Sequence, residues 1–557
     1  MKKNLLLILW VGCLISCSTK KYDTIIRNGT VYDGSGAEPF KADIAILHDT
    51  IAFIGDLSKE SAKSEIDVKG MAVSPGFINM MGHSEESLFQ DGRAQSDLRQ
   101  GVTTEIFGEF SMGPLNNRMK EQQKKGQADI KYDVNWNSLG EYMQLLEKKG
   151  ISCNIASFIG TGIVRQNIIG EDNKRPSSAQ LDSMKLLVKQ GMEEGALGIT
   201  NALIYPPDFF AQTDELIALA KEASRYGGTY TSHMRSEGNN FLEALEELIT
   251  ISKEANIPAE IFHLKAAGKN NWYKMDSAIR RVERARKEGQ DITADMYTYL
   301  AGATGMTSAF PPGLQDGGFG KLRERLQNAG IRSQMKAAMN SNAKEWENLY
   351  YGCGGAEHVL LLGFKQDSLK KYTGKTLAAV AKLLHKSPEE TAMDLIVQDS
   401  SRVSVAYFLM NEENVKKQVA LPWVSFGSDE GSYSTEGVFL KSNAHPRAYG
   451  NFARVIGHYS RDEKVLTLAA AVKKLASLPA THLKLKKRGM LQTGNYADIL
   501  VFDPAKVQDH ATYEKPHQYA TGMLHVWVNG EQVLKEGLPT EVRPGRFIKG
   551  PGYGQKK

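Results

Sequence analysis

Residues 22–76 alternate apolar and polar positions in short runs, YDTIIRNGTVYDG, ADIAILHDTIAFIGD and SEIDVKGMAVSPG, divided by turn residues. Alternation with a period of two predicts half-buried strands, and Asn28-Gly29 between two such runs predicts a tight hairpin. The chain closes on the same pattern in GNYADILVFDP and MLHVWVNGEQVLKEG, again with an Asn-Gly pair. Strands at both ends around a long middle predict a small β-sandwich domain assembled from both termini, residues 22–72 and 486–549.

Between them, over residues 73–485, the rhythm changes. Short apolar runs alternate with helical stretches: CNIASFIGT, then SSAQLDSMKLLVKQGMEEG; ALGITNALIY, then DELIALAKEASRYGG; TYTSHMRSE, then FLEALEELITISKEAN; AEIFHLKAAG, then YKMDSAIRRVERARKEG; and DITADMYTY. Repeated strand–helix alternation is the signature of parallel βαβ units and predicts an α/β fold. Three successive strands end in His233, His263 and Asp295, spaced 30 and 32 residues apart, one βα unit each. In a closed barrel this spacing places all three at one rim, where active sites are built. From about residue 300 to 372 the rhythm fails, which predicts an insertion over the barrel mouth.

Composition narrows the classes. With 69 basic and 64 acidic residues in 557, the net charge of +5 is too dilute for a nucleic-acid footprint. The most basic run, RRVERARKEG, carries interspersed acids at helical spacing and reads as a solvated helix face. No protein partner is indicated. At the N-terminus Lys2 and Lys3 precede LLLILWVGCLIS, an apolar run too short to span a bilayer as a helix. It ends in LISC at Cys17, which resembles a bacterial lipobox. That predicts a signal peptide over residues 1–17, lipidation of Cys17 and a periplasm-facing body anchored in the cell envelope. Only Cys153 and Cys353 then remain in the body; they allow one disulfide in an oxidising compartment, not a framework.

A lone histidine at a strand end is usually structural. Two on consecutive strands, each followed two residues later by a cation (His233 and Arg235, His263 and Lys265), form a candidate site for a zinc-type ion. Asp429, in PWVSFGSDEGS, follows an apolar strand within a Gly/Ser turn. It reads either as a base beside an activated water or as an ordinary turn and helix cap.

From Tyr22 to Lys549 the chain resembles the N-acyl-D-amino-acid deacylase (D-aminoacylase) branch of the metal-dependent amidohydrolases. The resemblance is carried by PGFIN, RQGVTTEIFGE, EEGALGITNALIYPP, YGGTYTSHMRSEG, EIFHLKAAG, ITADMYTYLAGAT, FGSDEGS, HPRAYGNFARVIGHYSR and LPATHLKLKKRGMLQTGNYADILVFDP. It implies a distorted TIM (β/α)8 barrel flanked by the terminal β domain. It further implies His233 and His263 as ligands from strands five and six, and Asp429 as the strand-eight base. Arg235, Lys265, Tyr297 and Arg447 fall in segments that line the family's substrate pocket, the last three as partners of a substrate α-carboxylate.

Two departures stand out. The family's Asp-x-His-x-His after the first strand becomes Asn79, Met81 and His83, so one ligand is a thioether, a poor partner for zinc. The bridging cysteine of many relatives is missing from GVTTEIFGEFSMGP, where Glu109 is the nearest candidate ligand. The expectation is therefore one zinc or other divalent ion on His233, His263 and Glu109. His83 would serve as a donor behind the ion or to the transition state, or Glu85 would restore a second site in a shifted register. The activity implied is hydrolysis of the amide of small N-acyl-D-amino acids. The rival readings are cleavage of a dipeptide or cyclic amide, and a catalytically degenerate lipoprotein that only binds a ligand.

Overall fold

The computed structural model describes residues 21–555, so the lipobox and Cys17 lie outside the described residues. Eight short segments enclose the barrel. Phe77–Asn79, Val102–Phe107 and Asn154–Ser157 pair in parallel, and Ile159–Gly160 continues the third position. Gly198–Ala202, Thr229–His233, Ala259–Ile261 and Ile292–Ala294 follow, each parallel to the one before. Residues 424–430 close the ring. Ser425 donates to the Ala294 carbonyl at 2.8 Å on one side, and Met80 donates to the Phe426 carbonyl at 3.1 Å on the other. The paired strands are buried on both faces, as parallel strands covered by helices must be.

The helices fall where the pattern placed them. Ser178–Glu194 starts in a capping box between Ser177 and Gln180, and Phe241–Ala255 stops at Asn256 in the left-handed region. Met275–Lys287 contains the basic run and buries Ala278, Val282 and Ala285, leaving its arginines outside.

Both termini enter one nine-stranded sheet. Ala72–Pro75 joins them, parallel to Tyr22–Val31 on one edge and antiparallel to Ile499–Phe502 on the other. The two Asn-Gly pairs behave differently. Asn529-Gly530 turns a hairpin between Met523–Val528 and Glu531–Lys535. Asn28-Gly29 instead forms a bulge inside the single strand Tyr22–Val31, with Asn28 at φ 59°. Tertiary partners override the local turn signal. The Asn28 amide donates to Asp43, its side chain donates to Asp67, and a Cβ on Gly29 would lie 2.5 Å from Val73.

The insertion is longer than the rhythm implied. Its three-stranded antiparallel sheet takes Ala301–Gly305, Val359–Gly363 and also Ser404–Phe408. Helices Leu377–Leu384 and Pro388–Asp399 imitate a returning βα pattern in sequence, but they pack into the insertion's own core. Cys153 and Cys353 are both free and buried. The Cys153 thiol donates to Glu105 at 3.1 Å and that of Cys353 to the Tyr350 carbonyl at 3.2 Å.

Candidate metal centre and substrate cavity

The barrel brings the ends of strands one, two, five, six and eight to one cavity of about 270 Å³, roofed by residues 302–305, Leu349 and Arg402 of the insertion. His263 and Asp429 sit there with φ of 35° and 51°, a conformation side-chain-bearing residues rarely adopt. The surroundings hold both in place. Asp295 accepts the His263 amide at 3.0 Å, and the Asp429 amide donates to the Met81 carbonyl at 2.8 Å. Strain of this kind gathers where a side chain must be aimed.

Among the described residues two donor groups form. In the first, His233 Nδ1 lies 2.9 Å from Glu109 Oε1 and 2.9 Å from His263 Nε2. In the second, His83 Nε2 lies 3.1 Å from Asp429 Oδ1 and 3.3 Å from Glu109 Oε2. Within each group the potential ligand atoms lie within 4.8 Å of one another. Two imidazole nitrogens converging with a carboxylate oxygen fit the nitrogen and oxygen preferences of a divalent ion of the zinc type. Glu109 is common to both groups. Met81 and Glu85 belong to neither: Met81 is buried among Ile78, Ile106 and Phe262. Asn79, the other altered position, exchanges hydrogen bonds with Ser428 (2.8 and 2.9 Å) and ties strand one to strand eight.

The carboxylates are kept charged. Burial by itself would raise Glu109, but hydrogen bonds from His233, His263 and His83 hold it well below the usual carboxylate range. Burial is likewise outweighed at Asp429, which the Arg447 guanidinium and His83 hold low. Glu237, which sequence reasoning missed, completes the ligand support. Its Oε1 lies 2.9 Å from His263 Nδ1 and accepts from Lys265 Nζ at 2.6 Å. Despite burial, Lys265 and the two imidazoles lower it to about 2. A carboxylate behind a ligand imidazole fixes its tautomer and orientation. The available signal was its place four residues after His233.

Beside these groups, Arg447 pairs with Asp429 Oδ2 at 2.8 Å and lies over the Tyr297 ring at 4.2 Å. The Tyr297 hydroxyl and Arg447 Nε are buried without a hydrogen-bond partner among the described residues. Arg235 does not join them. Its guanidinium turns away to Glu247, at 2.9 Å through both Nε and Nη2, and to the Phe209 and Ala211 carbonyls. A carboxylate on the next helix captured it, which spacing from His233 could not reveal.

Fold and rim together define a class: α/β-barrel proteins whose strand ends form a histidine–carboxylate metal centre. The chain belongs to the amidohydrolase family, whose profile matches residues 64–534. It is 30% identical to D-aminoacylase of Alcaligenes xylosoxydans xylosoxydans over 95% of this chain and 98% of that protein. A solved D-aminoacylase, described for one-metal activation and second-metal attenuation of its binuclear centre, superposes with a TM-score of 0.79 at 29% identity, covering 95% of this chain and all of that one. N-acyl-D-glutamate deacylase from Bordetella bronchiseptica, solved with zinc and a phosphonate mimic of the tetrahedral intermediate, gives 0.78 at 26%, with the same coverage.

Proposed function

We propose that the protein hydrolyses the amide bond of N-acyl-D-amino acids at this rim, using one divalent ion, zinc or a similar metal. The observation that carries the reading is the pair of orphaned donors in the cavity of the metal centre, the Tyr297 hydroxyl and Arg447 Nε. A buried donor left unmade costs about 1–3 kcal/mol, and a substrate carboxylate satisfies both. Full-length similarity to D-aminoacylase supports the same substrate class.

Glu109, His233 and His263 would hold the ion, which would supply a water of lowered pKa and a Lewis acid for the amide carbonyl. Asp429, kept ionised by Arg447 and His83, takes the proton from the attacking water and delivers it to the amide nitrogen as the C–N bond breaks. His83, 3.1 Å from Asp429, holds that carboxylate in position. Lys265, Tyr297 and Arg447 orient the α-carboxylate. Metal-stripped protein should gain hydrolysis of N-acetyl-D-amino acids on adding one equivalent of zinc. Absence of any hydrolysis across a panel of D-side chains overturns the reading.

The N-terminal Lys2-Lys3, the apolar run and LISC support a lipid-anchored, periplasm-facing protein acylated at Cys17. Radiolabelled palmitate should enter the wild type and not Cys17→Ser; equal labelling overturns the anchor.

A further inference from the structure

The cavity holds three cations from Lys and Arg among the described residues, and the two assigned to the α-carboxylate each also pair with an acid: Lys265 with Glu237 and Arg447 with Asp429. The third, Arg402, has no carboxylate within salt-bridge distance among the described residues. Its Nε donates to Thr307 Oγ1 at 3.0 Å, and its guanidinium lies 4.8 Å from the Tyr205 ring centroid. Tyr205 in turn sets its ring edge-on against His233 at 5.4 Å, and its hydroxyl is held by Thr304 at 2.7 Å. Arg402 thus stands beside the candidate metal centre. It also lines an adjoining space of about 220 Å³ that shares Glu109, Phe110 and Tyr205 with the first cavity.

The backbone is shaped to put it there. Val403, next in the chain, is β-branched yet has φ 53°, and the Met306 amide donates to the Arg402 and Val403 carbonyls at 2.8 Å each. The side chain crosses Gly305, where a Cβ would lie 2.7 Å from Arg402 Nε. A strained residue, a glycine gap and an aromatic shelf together aim one unpaired guanidinium into the site.

From this we infer that the preferred substrate carries a second carboxylate, bound by Arg402, beyond the α-carboxylate. The inference rests on the deacylase reading and adds to it the substrate class. Tyr297, Arg447 and Arg402 all line one cavity. A Cβ on Gly302 would lie 3.3 Å from the Tyr297 hydroxyl, whereas Gly305 abuts Arg402. The second carboxylate is supplied by an acidic D-side chain or by a succinyl-type acyl group.

The zinc-loaded protein should be assayed with N-acetyl-D-leucine, N-acetyl-D-glutamate and N-succinyl-D-leucine, as wild type, Arg402→Gln and Arg402→Lys. One dicarboxylate should be preferred, and its advantage in kcat/KM over N-acetyl-D-leucine should fall about 10- to 100-fold in Arg402→Gln, mainly through KM. Arg402→Lys, with charge but no fork, should fall between. Whichever dicarboxylate loses its advantage identifies where the second carboxylate resides. Cleavage of N-acetyl-D-leucine with no dicarboxylate preference, or a preference that survives Arg402→Gln, overturns this inference and leaves the deacylase reading standing. If none of the three is cleaved, the deacylase reading falls, and calorimetry with N-acetyl-D-glutamate decides. Binding weakened by Arg402→Gln supports the second carboxylate site; no binding, or binding unchanged in the variant, overturns it.

Discussion

Strands five and six and the seam between strands one and eight meet at the same rim, yet they use their end positions differently. Strands five and six present His233 and His263 with nitrogens 2.9 Å apart, backed by Glu237. The seam turns Asn79 into a stitch to Ser428 and buries Met81 in the wall, leaving His83 as the lone imidazole in the donor group on that side among the described residues. One side is built to hold an ion and the other to position Asp429. A barrel rim can therefore lose ligands on one side without losing the other, because each strand end is braced by its own neighbours.

The strongest test removes the base from the seam while leaving strands five and six intact. Asp429→Asn should lower kcat by about 10²–10⁴-fold and keep one bound ion, measured by steady-state kinetics with metal analysis. Near-full turnover would exclude Asp429 as the base. On the other side, Glu237→Gln should weaken zinc affinity by about 10- to 100-fold in a chelator competition, since His263 loses its carboxylate support. Unchanged affinity would make Glu237 only a partner for Lys265. Met81→His would restore a donor to the seam. Metal content should rise from one ion toward two, at a stability cost of about 1–3 kcal/mol for repacking a buried site against Gly427. A content that stays at one would show that the seam is closed for reasons beyond Met81.

The smallest effect compares two buried carboxylates. Asp429, among cations, is held low, whereas Asp208, which accepts from Thr161 and the Ala202 amide, is pushed up to about 6 by burial. Asp208 binds its proton more tightly in the folded than in the unfolded chain. Stability should therefore rise as pH falls from about 6 toward 4, and this gain is lost as pH rises back through 6. The slope contributed should be at most about 1.4 kcal/mol per pH unit, and Asp208→Asn should flatten it in urea titrations across that range. An unaltered pH profile would show that burial does not govern this carboxyl.

Much of this was legible in the chain because it is local. Alternation with a period of two marked the terminal strands, and the 30- and 32-residue spacing of His233, His263 and Asp295 set three strand ends on one rim. Metal-ligand chemistry singled out the histidines, the resemblance settled Asp429 as a base over a turn, and the departure from the family's cysteine pointed to Glu109. Tertiary structure decided whatever depends on which groups meet across hundreds of residues. It gave Arg235 to Glu247 and placed Glu237 behind His263. It made Asn28-Gly29 a bulge against Val73, and extended the insertion to Ser404–Phe408. It also left Arg402 beside Tyr205 with no acid in salt-bridge range among the described residues. Periodicity reports the face a residue turns toward the core; the partner that claims its charge is set only when distant strands and the insertion close around it.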